Sequence, residues 1–180
     1  MNNIEQKNME KEKNELIIEA FSIEDTFEIQ RIIQEASRSV YVQGGKTQEE
    51  IEKEVTSALS EENIKKVRES LSTLTENEKI VVAKVDGKIA GFVYIEKGEE
   101  KNILQAAFVL PQFQGKGIAT KLWNNVKDFL NPKVDTYLDV ISSNTNAINF
   151  YKKIGFVETG EVSAGRLLPE MKMVLKSQDL

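Results

Sequence analysis

The chain has 180 residues, 40% of them apolar and 29% charged, enough to close one sizeable core and too few to require two. Its net charge of -5 and scattered basic residues argue against a nucleic-acid partner, which needs clustered Lys and Arg to replace phosphate counterions. With no cysteine and no histidine there is no disulfide, thiolate nucleophile, Cys or His metal ligand or imidazole base, so any chemistry falls to carboxylates, tyrosine, lysine, hydroxyls, water or backbone.

Residues 1–14 read as a charged, core-less tail without a signal-peptide stretch, and 15–180 as one domain. No run approaches membrane-spanning length, so the expectation is a cytoplasmic protein with no membrane partner. "ELIIEAF" suits a strand, and Ser22 with Asp25 resembles a helix start. Ile29, Ile32, Ile33, Ala36 and Val40 then recur at helical spacing up to Gly44-Gly45. Thr47 with Glu50 forms a capping box for a helix with Ile51, Val55 and Leu59 on one face, and Ile64, Val67, Leu71 and Leu74 line a third helix. "KIVVAKVDGKIAGFVYIE" predicts two strands joined by a tight Asp86-Gly87 hairpin turn. "ILQAAFVLP" is a third run, ended by Pro111, and a helix from about Gly117 to Leu130 carries Ile118, Leu122, Val126 and Phe129 on one side. "VDTYLDVI" alternates as a strand, "NTNAINFYKKIG" is a helix ended by Gly155, and short strands near "FVETG" and "MKMVLK" finish the chain. The order is that of an α/β domain with a mixed sheet.

"PQFQGKGIATKLW" places two glycines between a strand and a helix. Such a pair serves either turn geometry or phosphate binding, for which free backbone N–H groups and the positive end of a helix dipole would converge on one spot. The nucleotide-triphosphate loop is excluded by spacing, and the dinucleotide loop needs a third glycine where Thr120 stands.

About 25 residues on, "NTNAINFYKKIGF" sets Asn144, Ala147, Tyr151, Gly155 and Phe156 at fixed offsets. With "VLPQFQGKGIA" before it, the pair of motifs closely resembles the GCN5-related N-acetyltransferase (GNAT) superfamily. The family's pyrophosphate signature falls on Gln114, Gly117 and Ala119, with Gly115 and Lys116 between the first two and Ile118 before the last. The resemblance implies a mixed sheet with splayed parallel strands, flanked by helices, that binds acetyl-coenzyme A in the gap. It implies backbone contacts to the pantetheine arm from Phe108, Val109 and Leu110, and a pyrophosphate cradle from the amides of Gln114, Gly115, Lys116, Gly117, Ile118 and Ala119. Tyr151 matches the family's general acid, although a Tyr at helical spacing with Ala147 and Ile154 also suits a core. Asn144 reads either as a helix cap or as a cofactor contact. No metal is implied. Lys116, Lys121, Lys152 and Lys153 are surface charges or phosphate neighbours. A homodimer is one assembly the resemblance allows.

The chain departs from the family at Gln105, where many amine-acetylating members carry a Glu as general base. Gln cannot take a proton at neutral pH. The expectation is another base, with Glu96 or Asp139 named first, an amine arriving partly neutral, or a protein that needs little catalysis. The implied reaction is direct transfer of acetyl to a primary amine of a small molecule, polyamine-like or aminoglycoside-like, or of a protein; the alternative is an acyl-coenzyme A binding protein that regulates or senses. Glu49, Glu50, Glu52 and Glu54 are either a solvated face or an attractor for a cationic acceptor, and "SRSVYVQGG" marks where a substrate lid would sit.

Overall fold

A computed structural model describes residues 15–180, and the charged tail assigned to residues 1–14 lies outside them. Strands β1 (Leu16–Ala20), β2 (Glu78–Val85), β3 (Lys88–Glu96), β4 (Asn102–Val109), β5 (Thr136–Ile141), β6 (Val157–Ser163) and β7 (Glu170–Leu175) form one sheet in the order β1-β2-β3-β4-β5-β7-β6. Every neighbouring pair is antiparallel except β4 and β5. The helices are α1 (Thr26–Gln43), α2 (Gln48–Ala58), α3 (Glu61–Leu71), α4 (Ile118–Val126) and α5 (Thr145–Lys153).

Helices cover both faces of the sheet, which is why β2 reads as an unbroken "IVVA" run and not as an alternation. Ile80 and Val82 pack with Ile29 and Ile32 of α1 on one face. Val81, Ala83 and Val85 pack with Ile118, Leu122 and Val126 of α4 on the other. The turn between β2 and β3 takes positive φ at both Asp86 and Gly87, as a two-residue hairpin requires.

Local signals set the helix starts. Ser22 and Asp25 form a reciprocal capping box over a short 3₁₀ turn that runs into α1, and Thr47 and Glu50 do the same for α2. Two expectations are corrected. The helix predicted to Leu130 is α-helical only to Val126; Lys127–Phe129 tightens to 3₁₀ as the chain drops to Asn131, which is held by tertiary hydrogen bonds. The "SRSVYVQGG" segment is no lid. It is helical to Gln43, Tyr41 is buried against Ile51 and Leu168, and a Cβ on Gly44 would collide with the Leu168 side chain.

Where β4 meets β5, only Asn102 with Thr136 and Ile103 with Tyr137 are paired. Fully buried Asn102 fixes that junction. Its amide nitrogen donates to the carbonyls of Asn131 (2.9 Å) and Val134 (3.2 Å) and to the Thr136 hydroxyl (3.3 Å). Its oxygen accepts from the N–H of Asn131 at 3.0 Å. Replacing Asn102 with Leu keeps the branched shape but leaves these buried groups unpaired, each at about 1–3 kcal/mol. We expect Asn102→Leu to lower unfolding stability by about 3 kcal/mol or more in urea titrations, and a loss under about 1 kcal/mol would mean the junction is held by something else.

Candidate functional site

Beyond its two paired residues β4 diverges from β5, leaving one edge of β4 unpaired inside the fold. Which backbone groups line that edge follows from strand parity. The Leu110 N–H donates to the Ala90 carbonyl of β3 at 2.8 Å, so Leu110 and Phe108, two residues before it, turn their backbone groups toward β3. Those of Val109 and Ala107 face the gap. This corrects the sequence expectation: of Phe108, Val109 and Leu110, only Val109 has backbone groups turned to the gap, and Ala107 joins it. Phe108 contributes its ring, stacked on Phe92 at 5.8 Å, and Leu110 is buried. The register also slips at Gln105, which has no partner on β3, so Gln105 is a β-bulge at the mouth of the gap.

The loop after β4 is tied to the same edge. Gln114 donates its side-chain amide to the Val109 carbonyl at 3.0 Å, and its N–H goes to Pro111 at 3.2 Å. Gln114 therefore anchors the loop, and its backbone N–H, expected to face the pyrophosphate, is engaged within the loop. From Gly115 to Thr120, six consecutive N–H groups have no acceptor among the described residues; the next, on Lys121, bonds Gly117. Gly115 and Gly117 take φ of 74° and 79°, which turns this run outward at the N-terminus of α4, and nothing lies within 4 Å of a Cβ built on either. The ammonium of Lys116 lies 5.1 Å from the Phe113 ring centroid.

On the other wall, Asn144 caps α5 by accepting from the Ala147 N–H at 3.1 Å, and it also lines the cavity. One turn on from Ala147, Tyr151 is 7% exposed, packed on Phe150 and Phe156 with centroids 5.5 and 5.9 Å away. Its hydroxyl has no hydrogen-bond partner among the described residues, and the residue lines the same cavity. Burial pushes its pKa up to about 12, so the phenol stays protonated and is a proton donor.

The gap opens into a cavity of about 1170 Å³. Its far side is built from α1 (Gln34, Ser37, Tyr41), α2 (Glu54), β5 (Asp139) and the β7 approach (Arg166, Leu168, Glu170). Glu54 is ion-paired with Arg166, joining α2 to the β6–β7 loop. The other three glutamates do not line the cavity: Glu50 caps α2 and pairs with Lys46, Glu52 pairs with Arg38, and Glu49 is exposed. Gln34, Arg166 and Glu170 were not singled out from sequence. Gln34 had a faint signal, a polar residue on the helical stripe that continues through Ser37 and Tyr41. Glu170 had none. The two carboxylates named as bases separate: Glu96 accepts a hydrogen bond from the Gln105 amide at 2.9 Å and does not line the cavity, whereas Asp139 does line it.

Residues 42–177 match the family model of the acetyltransferase (GNAT) domain. An N-alpha-acetyltransferase of Sulfurisphaera tokodaii is 36% identical over 93 residues, 43% of this chain and 55% of that protein. The spermidine N(1)-acetyltransferase of Escherichia coli K12 is 32% identical over 97 residues, 48% of this chain and 50% of that one. The chain thus spans about half the length of the curated relatives it matches. The crystal structure of the PaiA N-acetyltransferase from Thermoplasma acidophilum, in complex with coenzyme A, has a TM-score of 0.68 at 23% identity, over 90% of this chain and 99% of that one. At that identity it shares the fold.

A phenol whose folded pKa exceeds its unfolded value of about 10 keeps a proton that the unfolded chain has released, so it erodes stability from about pH 10 upward and leaves it unchanged below. Wild type should therefore lose more stability between pH 9 and pH 11.5 than Tyr151→Phe, read from urea midpoints. Equal losses in the two proteins would mean the hydroxyl is solvated.

Proposed function

The chain belongs to the acetyltransferase (GNAT) domain family, and from that premise we propose that it transfers an acetyl group from acetyl-coenzyme A to a primary amine. One observation carries the reading: the unpaired edge of β4 runs directly into six N–H groups that have no partner among the described residues. An unsatisfied strand edge suits an amide-bearing chain that adds as a further strand, and a helix N-terminus with free N–H groups suits a pyrophosphate. Pantetheine joined to a pyrophosphate has those two chemistries in that order. The backbone of Ala107 and Val109 would hold the arm, and the loop from Gly115 to Thr120 the phosphates, with Lys116 nearby.

Bound there, acetyl-coenzyme A supplies the activated thioester. The amine nitrogen forms the new bond to the acetyl carbon as the carbon–sulfur bond breaks. Tyr151, held protonated by its burial, gives its proton to the departing sulfur. Backbone N–H groups on the free edge of β4 are the available donors for charge developing on the carbonyl oxygen. Lacking cysteine, the chain offers no thiol for a covalent intermediate. The two curated relatives named above are named for amine acetylation, which agrees in class without naming this acceptor. A coenzyme A binding sensor is the second reading, favoured by Gln105, whose amide is bonded to Glu96.

Release of free thiol from acetyl-coenzyme A, measured against a panel of alkylamines, polyamines and peptides with free N-termini, separates the two readings; binding without turnover would select the sensor. Gly117→Glu places a bulky anion where phosphates would approach, and it should weaken acetyl-coenzyme A binding by at least ~2 kcal/mol, about thirtyfold, in calorimetry. Unchanged affinity in a folded Gly117→Glu protein would reject the loop as the binding site. Tyr151→Phe keeps the ring packing and should reduce turnover roughly 10- to 1000-fold at unchanged cofactor affinity. Full turnover in that variant would make Tyr151 a core residue only.

A further inference from the structure

Gln105 offers no base, and the strand across the gap from it carries a carboxylate that lines the cavity. Counting on from the paired positions Asn102–Thr136 and Ile103–Tyr137 sets Asp139 of β5 level with Gln105 of β4, across the opening of the gap. Asp139 lies opposite Lys172, and Ile141 opposite Glu170, so Asp139 and Glu170 share one face of the sheet. It is the face on which Ile141 packs with Tyr41 of α1 and Ile51 of α2. Both carboxylates line the cavity.

A second, independent feature points to a ligand at this wall. Gln34 of α1 is 5% exposed and lines the cavity, and its side-chain oxygen has no hydrogen-bond donor among the described residues. A buried amide oxygen left unpaired is costly, and a donor in the cavity would offset that cost. Gln34, Ser37 and Tyr41 recur along one stripe of α1, about 10 Å long by helical rise, lining the cavity from Gln34 to the Tyr41 end that packs against Ile141.

We propose that the acceptor amine enters on the α1 side of the gap and gives its proton to the Asp139–Glu170 carboxylate pair, while the Gln34 oxygen accepts a hydrogen bond from the same molecule. The inference rests on the acetyltransferase reading above. The protons balance: an ammonium loses one proton to the pair before its nitrogen bonds the acetyl carbon and one more as the amide forms, and the sulfur gains one by way of Tyr151. One proton is released overall. Burial, and then the charge of Asp139, push the Glu170 pKa upward, which gives a carboxylate a stronger hold on a proton at neutral pH. The other titratable or charged groups that share this face of the sheet or line the cavity are Tyr137 on β5, Lys172 on β7, bonded to Glu161 of β6, Arg166 of the β6–β7 loop, bonded to Glu54 of α2, Tyr41 of α1 and Lys153 of α5. Lys172 and Arg166 are thus each engaged by another carboxylate.

The test uses the amine that turns over fastest in the panel, with kcat/KM followed by thiol release from pH 5 to 9. Wild type should reach a plateau well below the pKa of the amine, near 10 for an alkylamine. Asp139→Asn and Glu170→Gln should each lower kcat/KM at pH 7 roughly 100-fold and replace the plateau with a rise of unit slope, at unchanged acetyl-coenzyme A affinity. Gln34→Leu should raise KM for the amine severalfold with little change in kcat and the same pH profile. Independently of any acceptor, NMR titration of the carboxyl carbons should show the upward shift of Glu170 reduced, with the part due to burial remaining, in Asp139→Asn. The proposal is overturned if wild type climbs with unit slope to pH 9, if Glu96→Gln and not Asp139→Asn removes the plateau, or if Glu170 titrates identically in both proteins. Wild type that fails to bind acetyl-coenzyme A, or binds it and acetylates no amine, would sink the acetyltransferase reading itself, and this inference with it.

Discussion

The parallel contact between β4 and β5 is closed at one end and open at the other, and the site depends on that asymmetry. At the closed end Asn102 ties β4 to the chain entering β5 through donors and acceptors on Asn131, Val134 and Thr136. Two residue pairs later the strands part. An open strand edge inside a fold leaves N–H and C=O groups without partners, a cost that surface edges avoid by meeting water. The edge is kept partly satisfied by Gln114 on the Val109 carbonyl, and the rest faces the cavity.

The sheet also separates two chemistries. On the α4 and α5 side lie the glycine loop, the capped start of α5 and an aromatic row of Trp123, Phe156, Tyr151 and Phe150, with neighbouring centroids 5.5 to 5.9 Å apart. On the α1 and α2 side lie Gln34, Glu54, Asp139 and Glu170. The gap between β4 and β5 is where the two sides meet, and the bulge at Gln105 sits at its mouth. Burial acts in the same direction on the titrating groups of both sides, yet suits opposite roles. It keeps the Tyr151 phenol protonated and so a donor, and it raises the proton affinity of Glu170 and so favours an acceptor.

Some of this was written in short-range pattern. The capping pairs Ser22–Asp25 and Thr47–Glu50, the Asp86-Gly87 turn, the glycine loop ahead of α4 and the Asn144 cap each involve residues within a few positions of one another, whose bonding is local and survives in the fold unchanged. The two-sided burial of β2 was legible from its unbroken apolar run, and the family was legible because the two motifs together match it.

What the sequence by itself determined was therefore the element order, the helix and turn boundaries that local hydrogen bonds set, and the chemical exclusions that follow from having neither cysteine nor histidine. Only the tertiary structure decided which backbone groups are free. The parity that turns Val109 and Ala107 to the gap and Leu110 to β3 depends on register with a neighbouring strand, and a one-residue bulge at Gln105 resets it. Asn102, an unremarked polar residue at the start of β4, is the clamp of the fork through residues about thirty positions away. Gln34, Asp139 and Glu170 come from three distant elements, and only packing across the sheet brings them to one cavity, because hydrogen bonds and charges act over a few ångströms of space whatever their separation along the chain.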